Sequence, residues 1–295
     1  LKRENNMKLI SSLLFVAAGT FFTSHVHAAM PKSEILLAEL DTPYGMQVSR
    51  VTDDKAYNNQ PFLVDTGLYY THEVVDENGQ SQTDIAFYDF TSKSSVNITN
   101  TPVSEYSPTL MPNQQALSAI VVEADGKQKL WQYPLAEESV ASRIFEWIEP
   151  VGYHAWGADE DLIMFILGEP HTLQYTRVAA AKPRVIAGDI GRTLIFDKHT
   201  NSYLFSYNKN NQHWVARFAP QTEEVSDLFR LPESVQDFAL IDKDTVAYAV
   251  NNRVHKRSLT EPEVVSQWLD LRRFCEGSIS RLNYKQSKLA FVCNK

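Results

Sequence analysis

The chain repeats one pattern of apolar and polar positions about every forty residues. The clearest copy spans residues 97–135. It contains a short strand, Pro-bounded turns, an apolar strand, a turn at Asp125-Gly126 and an amphipathic strand with Trp131 and Tyr133. Short strands at this period are typical of a β-propeller, in which each copy is a four-stranded blade that buries its faces only against neighbouring blades. The pattern therefore predicts an all-β fold.

Copies of this pattern follow one another to the C-terminus, and the last copy is incomplete. Their first two strands are predicted at residues 60–74, 107–122, 154–167, 192–207 and 237–250. The C-terminal segment supplies only two strands of a sixth unit, while residues 34–41 and 45–53 supply a matching pair. We therefore predict a six-bladed β-propeller whose sixth blade is closed by two N-terminal and two C-terminal strands, which removes free sheet edges.

The first 28 residues predict a secretory signal peptide and not part of the fold. Met7-Lys8 begins a positive segment, residues 9–22 form a short apolar run, and small residues precede a cleavage site expected after Ala28. Residues 1–6 are interpreted as an upstream start artefact, and residues 29–295 as a single domain. A membrane anchor is the alternative, but polar residues interrupt the apolar run.

The two cysteines of the chain, Cys275 and Cys293, flank the last predicted hairpin. The turn of that hairpin is expected near Tyr284-Lys285, so antiparallel pairing would place the cysteines roughly opposite each other. In an exported chain this arrangement predicts a disulfide. Two buried thiols are the alternative, and the spacing does not fit a CxxC redox or metal motif.

The formal net charge of the chain is −8, and its basic residues form no cluster. An acidic chain of this kind is a poor electrostatic match for nucleic acid or for an anionic lipid surface. We expect neither as a partner.

Two segments, residues 50–74 and 98–121, resemble the TolB-like propeller repeat. The matching positions are Thr52, Pro61, Asp65 and Gly67 in the first segment, and Thr99, Ser107, Pro108, Pro112 and Asn113 in the second. The resemblance implies a six-bladed propeller. This repeat occurs in periplasmic scaffolds, in gating domains of peptidases and in some polysaccharide lyases, so the resemblance does not by itself select an activity.

Propellers usually bind ligands at the mouth of the central channel. The repeat alignment places one set of candidate residues in the loops that enter the inner strands: Asn59, Glu105, Tyr106, Tyr153, His154, Arg192 and Asp237. These carboxylates, amides and basic groups could hydrogen-bond a sugar or a peptide. Tyr106 and Tyr153 could add a rigid aromatic contact surface.

No catalytic triad, phosphate-binding loop or nucleophile elbow is found in the sequence. We therefore predict a non-catalytic periplasmic scaffold that needs no metal or cofactor, has no membrane anchor and binds an envelope protein or peptide at its channel face. One alternative is a metal-dependent carbohydrate lyase or lactonase with its metal near His154 and Asp237. Another is a sensor whose channel holds a small sugar or peptide.

Overall fold

Six four-stranded antiparallel sheets form a closed ring in the computed structural model of the chain. The structure describes residues 30–77, 79–136, 138–180 and 182–295, so the predicted signal peptide lies outside the described residues. Within these ranges no helix is long and apolar enough to cross a membrane. The prediction of an all-β six-bladed propeller is confirmed.

The strands of the structure are given in chain order. The first half comprises β1 Ser33–Glu39, β2 Gln47–Arg50, β3 Asn58–Leu63, β4 Gly67–Val75, β5 Ser81–Asp89, β6 Ser94–Asn97, β7 Ser104–Leu110, β8 Ala116–Val122, β9 Gln128–Pro134, β10 Ser142–Arg143, β11 Val151–Trp156 and β12 Asp161–Ile166. The second half comprises β13 Thr172–Arg177, β14 Arg184–Gly188, β15 Ile190–Asp197, β16 Ser202–Lys209, β17 Gln212–Ala219, β18 Glu224–Arg230, β19 Ala239–Asp242, β20 Thr245–Val250, β21 Arg253–Ser258, β22 Val265–Asp270, β23 Ser278–Lys285 and β24 Lys288–Asn294.

Five blades are consecutive along the chain, and the sixth combines the two ends. Blades 1 to 5 are β3–β6, β7–β10, β11–β14, β15–β18 and β19–β22, and blade 6 has the order β2-β1-β24-β23. The inner strands β3, β7, β11, β15, β19 and β23 contact one another around the ring and line the channel.

The second strand of a blade is buried on both faces, as β12 illustrates. Leu162, Met164 and Ile166 belong to an apolar cluster shared with blade 2, whereas Ile163 and Phe165 belong to a cluster shared with blade 4. Successive side chains of a strand point to opposite faces, so a continuous apolar run can cover two neighbours at once. The core of the propeller therefore lies between the blades.

Blade 6 is closed by β1, which pairs with β2 on one side and with β24 on the other. Ile35 lies opposite Val292 in this register. The buried carboxylate of Glu34 forms ion pairs with Arg50 and with Lys295, and so joins the two ends of the chain. The predicted closure is confirmed, with the C-terminal strands on the inside and the N-terminal strands on the outside.

The predicted disulfide between Cys275 and Cys293 is present, with a Cα–Cα distance of 5.6 Å. The cysteines do not lie opposite each other in the hairpin, because Cys293 of β24 faces Ile279 in the β23 register. Cys275 lies in the turn before β23, where its backbone N–H donates to Leu271 O. The bond therefore attaches the connection from blade 5 to the strand that pairs with β1.

Removal of the disulfide should lower the stability of the ring. We expect the double substitution Cys275→Ala and Cys293→Ala to lower the free energy of unfolding by about 3 kcal/mol, because the unfolded chain regains the freedom of the closed loop. Urea denaturation measures the change. Dithiothreitol should shift the wild-type midpoint in the same direction and leave the variant unchanged. An unaltered midpoint in the variant would contradict the expectation.

Candidate functional site

Most of the predicted site residues lie within inner strands and not in the loops before them. Six lie on β3, β7, β11 and β15, namely Asn59, Glu105, Tyr106, Tyr153, His154 and Arg192, whereas Asp237 alone precedes its strand, β19. The predicted loop placement is wrong for these six, because the inner strands begin earlier than their polar sequence indicated. An inner strand has only one hydrogen-bonded neighbour, so its other edge faces the channel and polar residues are tolerated there.

Five of the six inner strands, namely β3, β7, β11, β15 and β23, depart from regular pairing at the level of the channel residues. In β3, β7 and β23 the register shifts across Gln60, Ser107 and Arg281, which all adopt a positive φ between 54° and 55°. A bulge of this kind turns backbone groups away from the adjacent strand. The freed N–H of Ser107 donates to Gln60 Oε1 at 3.1 Å, and that of Arg281 donates to Asp237 Oδ2 at 3.2 Å.

Arg192 and Asp237 form a bidentate ion pair between blades 4 and 5. Arg192 Nε and Nη2 donate to Asp237 Oδ1 and Oδ2 at 2.9 and 2.7 Å. Burial alone would raise the pKa of Asp237, but the hydrogen bonds from Arg192 and the charge of Arg281 hold this pKa below its ordinary value. Asp237 is therefore ionised, and both of its oxygens accept hydrogen bonds.

Arg281 of blade 6 crosses the channel to blade 3 on the far side of the ring. Its Nη2 donates to Tyr153 Oη at 2.8 Å, and its Cζ lies 4.9 Å from the centre of the Tyr153 ring. Phe165 holds that ring edge-on at 5.5 Å. We call the group Arg192, Asp237, Arg281 and Tyr153 the channel waist.

The waist separates two chambers of the channel. The smaller has a volume of about 200 Å³ and is lined by later inner-strand residues, including Phe62, Thr109, Ile195, Leu240 and Tyr284. The larger has a volume of about 510 Å³ and is lined at the opposite ends of these strands by Tyr57, Asn59, Ser278, Ser280 and Asn294, among others. Arg192, Asp237 and Arg281 line both chambers.

Sequence analysis missed Arg281 and Tyr57. Arg281 occupies the bulge position of the sixth copy, as Gln60 and Ser107 do in the first two. An alignment of the repeats on that position would have selected it. Burial raises the pKa of Tyr57 to about 12 even though Arg281 and Arg192 lower it, so its hydroxyl remains protonated beside the waist.

The two tyrosines predicted as a pair have different surroundings. Tyr153 is held in the waist, whereas Tyr106 is half-buried against the apolar cluster between blades 2 and 3. Both lie near enough to Tyr57 to interact electrostatically with its hydroxyl. Of the three tyrosines, Tyr153 alone hydrogen-bonds a guanidinium among the described residues.

His154 faces blade 2, although it also borders the smaller chamber. Its Nε2 lies 2.6 Å from Ser118 Oγ, which also accepts a hydrogen bond from Trp156 Nε1 at 2.8 Å. Burial lowers the pKa of His154 to about 3, so the ring is neutral. No group of three or more His, Cys, Asp or Glu side chains suited to a metal occurs in the described part of the chain.

Glu105 lies between blades 1 and 2 and lines neither chamber. It is fully buried, and it accepts hydrogen bonds from Tyr133 and Thr99 at 3.2 Å each and from Thr101. Asp84 lies within hydrogen-bonding reach of it. Burial, with a contribution from the charge of Asp84, raises the pKa of Glu105 to about 7. This pair titrates at the blade interface and does not form part of the waist.

The raised pKa makes stability depend on pH. Folded Glu105 keeps its proton up to about pH 7, whereas unfolded Glu105 loses it near 4.5, so its contribution to stability falls as pH rises through this window. We expect Glu105→Gln, which stays neutral, to gain up to about 3 kcal/mol relative to wild type between pH 5 and pH 8. Urea denaturation across that range measures it. The exposed Glu263→Gln is the control, and parallel curves for wild type and Glu105→Gln would refute the assignment.

No family model and no curated protein matches the chain. Among solved structures, a putative TolB from Agrobacterium tumefaciens is 11% identical with a TM-score of 0.69, over 90% of this chain and 99% of that one. TolB from Acinetobacter baumannii is 9% identical with a TM-score of 0.54, over 80% and 78% of the two chains.

A puromycin-hydrolysing peptidase from Mycobacterium tuberculosis is also similar, at 10% identity and a TM-score of 0.53. The match covers 75% of this chain but 41% of the peptidase. Identities this low show the fold alone. The chain therefore has the TolB-like six-bladed propeller fold that its repeats resemble.

Proposed function

We propose that the chain is a non-catalytic periplasmic propeller that binds a peptide, or an extended segment of an envelope protein, in the larger chamber of its channel. The observation that carries this proposal is the polar chamber of about 510 Å³ that ends at the waist. A peptide can enter this chamber, but the bridge from Arg281 to Tyr153 blocks its passage through the ring.

The groups that line the chamber suit a peptide backbone. They include the amides of Asn59, Asn251 and Asn294 and the hydroxyls of Tyr57, Ser278 and Ser280. Each residue of an extended peptide carries one strong donor and one strong acceptor, which need partners once they leave water. Amide and hydroxyl side chains offer both kinds of partner.

Export to the periplasm is supported by the disulfide and by the N-terminal sequence. The bond between Cys275 and Cys293 is of a kind that persists in oxidising compartments. The charged, apolar and small-residue segments of residues 7–28 have the order of a secretory signal. Together they favour the envelope as the site of action.

A metal-dependent lyase or lactonase, the alternative proposal, would need His154 and Asp237 to exchange their present partners. Ser118 now engages His154, and Arg192 engages both oxygens of Asp237. We expect protein purified from the periplasm without chelator to carry no stoichiometric metal and to gain no thermal stability from calcium, manganese or zinc. About one equivalent of metal by elemental analysis would favour the enzyme.

Peptide binding in the chamber can be tested with a displayed library of random peptides. We expect the selected peptides to lose at least about tenfold in affinity for Ser278→Trp, because an indole at the exposed rim fills the chamber. Ser226→Trp, on the exposed outer strand β18, is the matched control and should bind as wild type does. Fluorescence anisotropy measures the affinities. Equal losses in both variants, or in neither, would contradict the proposed site.

A further inference from the structure

The two guanidinium groups of the waist outnumber the carboxylates that neutralise them. Asp237 forms its ion pair with Arg192. Arg281 reaches Asp237 only through its backbone N–H, which donates to Asp237 Oδ2, and its side-chain charge acts on Asp237 from a greater distance. Within the described ranges the guanidinium of Arg281 forms no ion pair. Within the waist, one positive charge is therefore left without a carboxylate partner, while the exposed Glu233 lines the larger chamber farther from this ion pair.

The same groups carry hydrogen-bond donors that have no acceptor within the described part of the protein. A guanidinium has five N–H donors. Arg281 uses Nη2 on Tyr153, and Arg192 uses Nε and Nη2 on Asp237, so Arg192 Nη1 and most of the Arg281 fork are free. Both side chains are half-buried at the floor of the larger chamber. Free donors at such a site favour a ligand that accepts hydrogen bonds.

The positive field of the waist extends into its surroundings. Burial and the charge of Arg192 lower the pKa of His213, and the charge of Arg281 helps to hold down the pKa of Asp237. A channel concentrates such a field, because its walls have a lower dielectric constant than water. A negatively charged group that reaches the waist is therefore stabilised there, whereas the acidic surface of the chain repels it elsewhere.

The geometry of the donors suits a carboxylate, the group that a peptide offers. Guanidinium groups bind carboxylates through two parallel hydrogen bonds, and Arg192 already binds Asp237 in this manner. Tyr57, whose hydroxyl stays protonated, lines the same chamber and adds a neutral donor. A ligand carboxylate beside Arg281 would complete a second pair of the same kind.

We propose that the channel waist binds a carboxylate of the peptide that enters the larger chamber, with Arg281 as the principal contact and Arg192 and Tyr57 as further donors. The identity of the ligand as a peptide rests on the proposed function, whereas the preference for a carboxylate rests on the waist alone. Two sources supply this group: the C-terminal carboxylate of a peptide, and the side chain of an internal Asp or Glu.

Small peptides test the carboxylate directly. The probes are acetyl-triglycine, its C-terminal amide, and acetyl-Gly-Asp-Gly-amide, each titrated at low ionic strength while the arginine Nε–Hε signals are followed by NMR. We expect one or both acids to shift the Arg281 signal in a saturable manner, and the neutral amide to leave it unchanged. Binding of the first acid identifies a C-terminal carboxylate as the source, and binding of the second identifies a side chain.

Substitution of Arg281 locates the contact. We expect Arg281→Gln to weaken binding of the acid at least about tenfold, as measured by the peptide signals, and Arg281→Lys to show an intermediate loss because it keeps the charge without the fork. Arg272→Gln is the matched control, since Arg272 is exposed and pairs with Asp270 outside the channel. Equal binding of acid and amide, no binding of either, or an unaffected Arg281→Gln would overturn the proposal.

The two proposals fail in different ways. Displayed peptides that bind the chamber and are sensitive to Ser278→Trp, but show no preference for acids, would overturn the carboxylate site and leave the proposed function intact. Acetyl-triglycine that binds at Arg281, while no displayed peptide responds to Ser278→Trp, would overturn the proposed function and support the carboxylate site.

Discussion

Each blade of this propeller has two apolar faces, and only the neighbouring blades can cover them. The constraint follows from β12, whose alternating side chains belong to one cluster with blade 2 and to another with blade 4. Because each blade depends on both neighbours, the ring must close. Closure is achieved between the two ends of the chain, where β1 pairs with β24 and buried Glu34 contacts both Arg50 and Lys295.

The same closure creates the channel and its waist. Six inner strands meet at the centre with one edge free of sheet pairing, and the register shifts at Gln60, Ser107 and Arg281 direct backbone donors along the ring. The waist then takes one residue from each of four blades, namely Tyr153, Arg192, Asp237 and Arg281. Its geometry therefore depends on the whole ring, and a change in closure at blade 6 would move Arg281 away from Tyr153.

Charged groups in this chain serve different purposes according to their partners. Glu105 and Asp84 are buried carboxyl groups with few compensating charges, and burial raises the pKa of both. Asp237 is also buried but has two arginines beside it, and its pKa is lowered. The first pair makes a blade interface sensitive to pH, and the second arrangement leaves the guanidinium of Arg281 without an ion pair among the described residues.

The sequence by itself determined the fold, the number of blades, the closure between the two ends and the disulfide, because these follow from local periodicity and from the count of strands and cysteines. It also supplied Arg192, Asp237 and Tyr153 as candidates near the channel.

Only the tertiary structure decided which side chains meet. Arg281 and Tyr153 are 128 residues apart, and Arg192 and Asp237 are 45 apart, so no spacing in the sequence relates them. His154 and Glu105 were both candidates for the channel face, but packing turned both toward neighbouring blades. Contacts across a closed ring depend on how the blades are oriented, and that orientation exists only after the core between them has formed.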